Sequence, residues 1–147
     1  MPNWIAGDMR IRGKKKDLLQ FLENGIDPMS EEYNLSVDND EIYGALAKGS
    51  YIKETRNVFL TSDFSGFVED DDDDYIVVLP VKQTWCWDET DFSRLSQKYN
   101  LDFKLIGWER GMGFEQELVC LRREEPVDIV RKFPNWEWDS PCPRMGG

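Results

Sequence analysis

The chain has 147 residues, of which 40% are hydrophobic and 13% aromatic, and its formal net charge is −11. This length suits one domain, 1–147, with its own core, and the aromatic content argues against a disordered chain. The complete lack of histidine removes the commonest general base and metal ligand, so we expect a protein that is not an enzyme and needs no cofactor.

Targeting signals and a disulfide framework are not predicted. The chain has no run of about 18 apolar residues, and the opening MPNWIAGDMR lacks the apolar stretch of a signal peptide. We therefore expect a soluble, cytoplasmic protein with no membrane contact. Cys86, Cys120 and Cys142 form no CxxC pair, which indicates reduced thiols.

The negative charge is concentrated in one region. Residues 17–74 carry sixteen acids against three bases, whereas residues 75–147 carry twelve acids against ten bases. A surface of this sign repels the phosphates of nucleic acids and attracts basic proteins. We therefore expect a basic protein as the partner and no direct binding of nucleic acid.

The first predicted elements are a strand and a helix. In residues 4–12 apolar and polar side chains alternate, which predicts a strand that ends at Gly13. Residues 14–24 place leucines at helical spacing and end with Asn24 and Gly25. This pattern predicts a helix that packs on the sheet.

Residues 26–74 are predicted to be an acidic insertion. The spacing of apolar residues indicates a short helix over 39–48. Residues 56–61 are typical of a strand, and residues 62–74 are predicted to be a loop, because five consecutive aspartates repel one another.

The most apolar run of the chain is residues 75–81, YIVVLPV. It predicts a strand at the centre of the sheet, buried on both faces, with pairing that ends at Pro80. Asp88 is a suitable cap for a helix through Tyr99, which Asn100 ends.

The remaining residues predict a hairpin and a C-terminal helix. Strands over 102–109 and 114–121 are joined by a glycine-rich turn. Residues 126–147 predict a helix over 126–133, followed by a tail rich in Trp and Pro. The order of elements is that of an α+β, ferredoxin-like sandwich with a mainly antiparallel sheet and two principal helices.

Two segments also carry a family resemblance. The opening MPNW with MRIRGKKKDLLQFL, and the central LPVKQTWCWDETDFSRLSQKYNLDFKLIGWERGMGF, are similar to the YubB-like proteins of phages and plasmids. The similarity covers about half of the chain. It implies a ferredoxin-like fold, an origin in a mobile genetic element and an action on the machinery of a bacterial host, and it implies no catalytic residues.

The acids of the insertion are the candidate partner-binding residues. Closely spaced carboxylates can mimic a phosphate backbone and occupy a basic nucleic-acid groove. A solvated loop that contacts nothing is the alternative. The candidate residues are Glu69, Asp70, Asp71, Asp72, Asp73 and Asp74, extended by Glu31, Glu32, Asp38, Asp40 and Glu41.

Other motifs have weaker functional interpretations. The aspartate run lacks the spacing of an EF-hand loop, so no metal site is predicted. Lys14, Lys15 and Lys16 are expected to be a solvated helical turn and not a phosphate site. Each tryptophan in this last group either anchors a partner or closes the core: Trp85, Trp87, Trp108, Trp136 and Trp138.

The sequence favours one function and leaves two open. The favoured one is a non-enzymatic protein of a phage or mobile element that inhibits a host nucleic-acid-targeting defence system, in the manner of an anti-CRISPR protein. It would bind the basic channel of a nuclease or effector in the host cytoplasm. The alternatives are a divalent-metal-dependent phosphoryl-transfer enzyme and an interaction domain without an inhibitory role.

Overall fold

The computed structural model describes residues 3–28, 33–37, 41–46, 50–61, 64–69 and 74–144. Within these ranges eleven strands join one sheet, and no helix is long and apolar enough to cross a membrane. The helices are α1 (Lys15–Asn24), α2 (Glu89–Tyr99) and α3 (Trp136–Asp139). The strands are β1 (Trp4–Lys14), β2 (Ile26–Pro28), β3 (Tyr33–Val37), β4 (Glu41–Leu46), β5 (Ser50–Ile52), β6 (Val58–Leu60), β7 (Phe64–Glu69), β8 (Asp74–Thr84), β9 (Asp102–Glu109), β10 (Phe114–Cys120) and β11 (Val127–Lys132).

The sheet has a main path and a branch. The main path runs β11-β10-β9-β1-β8-β6-β5-β2, and the described strand pairs are antiparallel. The long strand β8 pairs with β6 near one end and with β7 near the other, and β4 and β3 continue from β7. Strands β8 and β9 flank β1, so the connection through α2 crosses over β1. The predicted α+β class with a mainly antiparallel sheet is confirmed.

Both principal helices cover the same face of the sheet. Phe21 of α1 and Phe92 of α2 both contact Phe103 of β9, with ring centroids 5.6 and 6.1 Å away. A fully buried side chain of this kind contributes about 1.5 to 3 kcal/mol. From the sheet, this core takes alternate residues of the strands, including Ile5, Met9, Ile11, Val77, Leu79 and Leu105.

The ends of α2 confirm the prediction from the sequence. The carboxylate of Asp88 accepts hydrogen bonds from the backbone N–H groups of Thr90 and Asp91, at 3.0 and 3.2 Å. Asn100 ends the helix in the left-handed region, with φ of 57°. Capping chemistry is local, which is why the sequence alone places this helix correctly.

Two predicted helices are strands in the structure. Residues 39–48 contain β4, which pairs with β3 on one side and β7 on the other. Residues 126–133 contain β11, which pairs along β10. In both segments the neighbouring strands supply the backbone hydrogen bonds, and this pairing overrides the helical spacing of the apolar residues.

Two expectations about residues 62–81 are also wrong. The predicted loop 62–74 contains β7, although residues 70–73 lie outside the described residues. Strand β8 is not buried on both faces, because α1 and α2 cover one face only and Val78 stays exposed on the other. Pairing also continues past Pro80, because β1 pairs with β8 as far as Thr84 and β6 pairs with β8 over residues 81–83.

Candidate functional site

Four strand ends meet at one end of the sheet. Glu41, the first residue of β4, lies opposite Phe67 near the end of β7. The hairpin pairs place the end of β3 beside the start of β4, and Glu69 opposite Asp74 at the start of β8. We call this end of the sheet, defined by Val37, Glu41, Glu69 and Asp74, the acidic end.

The structure brings part of the predicted site together. Glu41, Glu69 and Asp74 lie at the acidic end. Strand β3 begins at Tyr33, opposite Leu46, at the other end of its hairpin, and Glu31 and Glu32 precede it in the chain. The predicted site residues outside the described part of the chain are Glu31, Glu32, Asp38, Asp40, Asp70, Asp71, Asp72 and Asp73.

Asp74 is paired within the fold. The Nζ atom of Lys14 lies 3.2 Å from one of its carboxylate oxygens, and Arg122 donates a hydrogen bond of 3.3 Å to the other. The side chain of Asp74 is also largely shielded from solvent. Asp74 therefore anchors the start of β8 and adds little negative charge to the surface.

Asp102 lies at the centre of the same ion-pair cluster. Its Oδ1 accepts the backbone N–H and the Nε–H of Arg122 at 2.8 and 3.1 Å, and its Oδ2 accepts Nη2 of Arg12 at 2.9 Å. Burial alone would raise the pKa of Asp102, but the hydrogen bonds from Arg122 and Arg12 outweigh burial and hold that pKa below its usual value. The cluster fixes β1, β8, β9 and the residues after β10 to one another beside the acidic end.

The two most exposed tryptophans lie at the opposite end of the sheet. Trp85 is 51% exposed and directly follows Thr84, which lies about 33 Å along β8 from Asp74. Trp138 in α3 is 85% exposed, and α3 follows the end of β11 that lies beside Phe114. Trp87 and Trp136 are buried and belong to the core. The aromatic candidates for partner contact are therefore separated from the acidic end.

Trp87 is fixed by a contact that the sequence did not suggest. Gln116 accepts a hydrogen bond from the backbone N–H of Trp87 at 2.7 Å and donates one to its carbonyl at 3.1 Å. The same amide group donates to Asp128 of β11 at 3.0 Å. A β-carbon at Gly107 would overlap the Trp87 ring, so the glycine makes room for it. These contacts place Trp87 in the core and not in a binding surface.

An aromatic cluster covers part of the sheet face that lies away from α1 and α2. The ring of Phe59 contacts Trp4 edge to face, with centroids 5.8 Å apart, and lies 6.5 Å from Tyr51. The Nζ atom of Lys82 lies 4.7 Å from the centroid of Trp4. Each of these rings is half-buried. Sequence reasoning missed this cluster, although the alternation in β1 already places Trp4 on the polar face.

Metal-binding groups and thiols are the remaining chemical features of the described residues. Among them, no group of three or more Cys, Asp or Glu side chains could hold a metal ion. Burial raises the pKa of the Cys120 thiol, which disfavours the reactive thiolate. Cys86, Cys120 and Cys142 are free thiols, as the sequence predicts.

No protein-family model, curated protein or solved structure matches this chain. The resemblance of the sequence to the YubB-like proteins therefore stays a prediction.

Proposed function

We propose that the protein is a non-enzymatic inhibitor, encoded by a phage or another mobile element, that binds the basic nucleic-acid-binding surface of a host nuclease or effector through its acidic end. The register of β4 on β7 supports this proposal, because it brings the ends of two acidic hairpins side by side. Between these strand ends the chain holds Asp38, Asp40, Asp70, Asp71, Asp72 and Asp73.

Two short connections between these strands carry six acids. The two connections are residues 38–40, between β3 and β4, and residues 70–73, between β7 and β8. Neither connection contains a lysine or an arginine. Asp74, the residue that follows the second connection, is the acid that pairs with Lys14 and Arg122.

The six aspartates among these seven residues carry negative charge, as the phosphates of a nucleic acid do. Duplex DNA carries one negative charge per about 1.7 Å of its axis, and proteins that hold it present matching bases. A rigid sheet that presents acids to such a groove gains a fast, salt-sensitive encounter. The absence of histidine from the chain fits a function in binding.

The experiment that tests this function is capture of partners from a bacterial lysate by immobilised protein. One variant replaces Asp70, Asp71, Asp72 and Asp73 with Ser and keeps the structural Asp74. The control removes the same charge elsewhere, by replacing the exposed acids Asp8, Glu23, Glu124 and Glu125 with Ser.

We expect the wild type and the control to retain a basic nuclease or effector that elutes as salt rises, and the aspartate variant to lose it. Equal retention by the aspartate variant would show that the acidic end is not the binding surface. Loss of the partner in both variants would indicate that net charge matters and position does not.

We also propose that the core is a ferredoxin-like sandwich. Strands β9, β1, β8 and β6 are neighbours in that order, and α1 and α2 pack together on one face. In this interpretation β2 to β5 and β7 are additions to the core, and β7 carries the acidic end. The additions would be the part of the molecule that gives it its own partner.

A further inference from the structure

We infer that β11 is a pairing surface for a second copy of this chain, independent of the acidic end. β11 is the last strand of the main path, and among the described residues only β10 pairs with it. It is six residues long, contains no proline, and leaves Val127, Ile129 and Val130 between 50% and 55% exposed. The opposite edge, β2, has three residues and ends with Pro28.

An edge of this kind is uncommon in a protein that stays alone. Edge strands usually avoid pairing by being short, or by carrying proline or charged side chains, because their free N–H and C=O groups accept another strand. Strand β2 is short and ends with proline, whereas β11 has neither feature. The charged residues of β11, Asp128, Arg131 and Lys132, include both signs, so a second copy of the strand can match them. The exposed apolar side chains of β11 therefore indicate that this edge is covered by another strand.

The hydrogen bonds to β10 show which backbone groups of β11 are free. The N–H of Phe133 donates to the carbonyl of Gly113 at 2.7 Å, so Phe133 faces β10. Backbone direction alternates along an antiparallel strand, so the N–H and C=O groups of Asp128, Val130 and Lys132 point away from β10. These three residues form the edge that a second strand would meet.

The charges on this edge select one partner and one register. If Val130 lies opposite Val130 of a second copy, Asp128 lies opposite Lys132 of that copy, and the reverse pair forms by symmetry. The backbone groups of all three outward residues then form hydrogen bonds with the second copy, about six in total across the twofold axis. The neighbouring register, centred on Ile129, would set Pro126, which has no N–H, opposite Lys132 and leave Asp128 opposite Val130.

The distribution of charge also permits this pairing. Residues 110–134 contain five acids and five bases, so the paired regions do not repel each other. An antiparallel arrangement about a twofold axis points the two acidic ends in opposite directions. The strongly negative parts of the two copies therefore stay far apart, and each acidic end remains open to its own partner.

Sedimentation velocity across a concentration series tests this inference. We expect the wild-type chain to dimerise with a dissociation constant of about 1 to 100 µM, as befits a small interface. The substitution Lys132→Asp sets two acids opposite each other and should weaken dimerisation at least about tenfold. Adding Asp128→Lys to it reverses both charges and should restore dimerisation.

Amide hydrogen exchange gives a second measurement that needs no variant. Protection of the Asp128, Val130 and Lys132 amides should rise with protein concentration, whereas Ile129 and Arg131 should be protected at every concentration. A wild-type chain that is monomeric at about 500 µM would overturn the inference. So would unchanged dimerisation of the Lys132→Asp variant, or a double variant that stays as weak as the single one.

Discussion

Glu41 lies directly opposite Phe67 across the β4–β7 pair. This register sets the β3–β4 hairpin beside the β7–β8 hairpin. The acidic region of the sequence thereby has a defined place in the fold, at one end of the sheet. Asp74 and Asp102 then fix that location to the centre of the sheet through Arg122.

The aspartates of residues 70–73 and Asp74 should respond differently to substitution. Replacing the four aspartates with Ser should leave the unfolding free energy unchanged or raise it slightly at low salt, because it removes like-charge repulsion. Asp74→Asn should lower it by about 1 to 2 kcal/mol, because Lys14 and Arg122 each lose one ion pair. Urea denaturation of both variants checks this, and equal destabilisation would contradict it.

Asp102 should make the protein sensitive to acid. Its pKa is lowered by the fold, so its contribution to stability is complete above its unfolded value of about 3.9 and is lost as pH falls toward the folded value. Asp102→Asn should cost about 2 to 3 kcal/mol at neutral pH. The variant should also lose less stability than the wild type between pH 6 and pH 2. Urea titrations at each pH measure this, and parallel curves would contradict it.

Gln116 should be needed for the position of Trp87. Gln116→Ala removes both hydrogen bonds to the Trp87 backbone and leaves buried polar groups without partners, at a cost of about 2 to 3 kcal/mol. The near-ultraviolet circular dichroism of the tryptophans should weaken with it. Glu117→Ala, at a half-buried neighbouring position of β10 that does not contact Trp87, is the control. An unchanged tryptophan signal in the Gln116 variant would show that the clamp is dispensable.

Ile42 should link the core to the acidic end. It is fully buried in β4, so Ile42→Ala should lower the unfolding free energy by about 2 to 4 kcal/mol. Because β4 joins the branch at β7, hydrogen exchange in β4 and β7 should quicken more than in β9. Ile52→Ala, a comparable change in β5, should not alter exchange in β4. Uniform quickening across the sheet in the Ile42 variant would contradict a local effect.

Local signals in the sequence predicted the local structure well. The caps of α2 at Asp88 and Asn100, and the alternation that buries Ile5 and Met9, are written in neighbouring residues. The helices predicted over 39–48 and 126–133 were wrong because strand pairing is decided by residues far away in the chain. Val127 and Ile129 have exposed side chains in β11, so no buried apolar alternation marked that strand.

The site was harder to predict for the same reason. The run of acids is visible in the sequence, but the register that sets Glu41 beside β7 depends on a branch of the sheet. Nothing near Asp74 indicated that Lys14 and Arg122 would pair with it, since they lie 60 and 48 positions away. The distance between Trp85 and the acidic end follows from the length of β8.

We propose that the acidic end binds the basic surface with which a host nuclease or effector holds nucleic acid. The most direct measurement is displacement of a fluorescent oligonucleotide from the nuclease or effector captured from the lysate. We predict that the wild type displaces it, with an apparent affinity that falls as salt rises, and that the Asp70 to Asp73 variant is at least about tenfold weaker. If the protein and the oligonucleotide bind together, or the variant displaces as well as the wild type, the claim is contradicted.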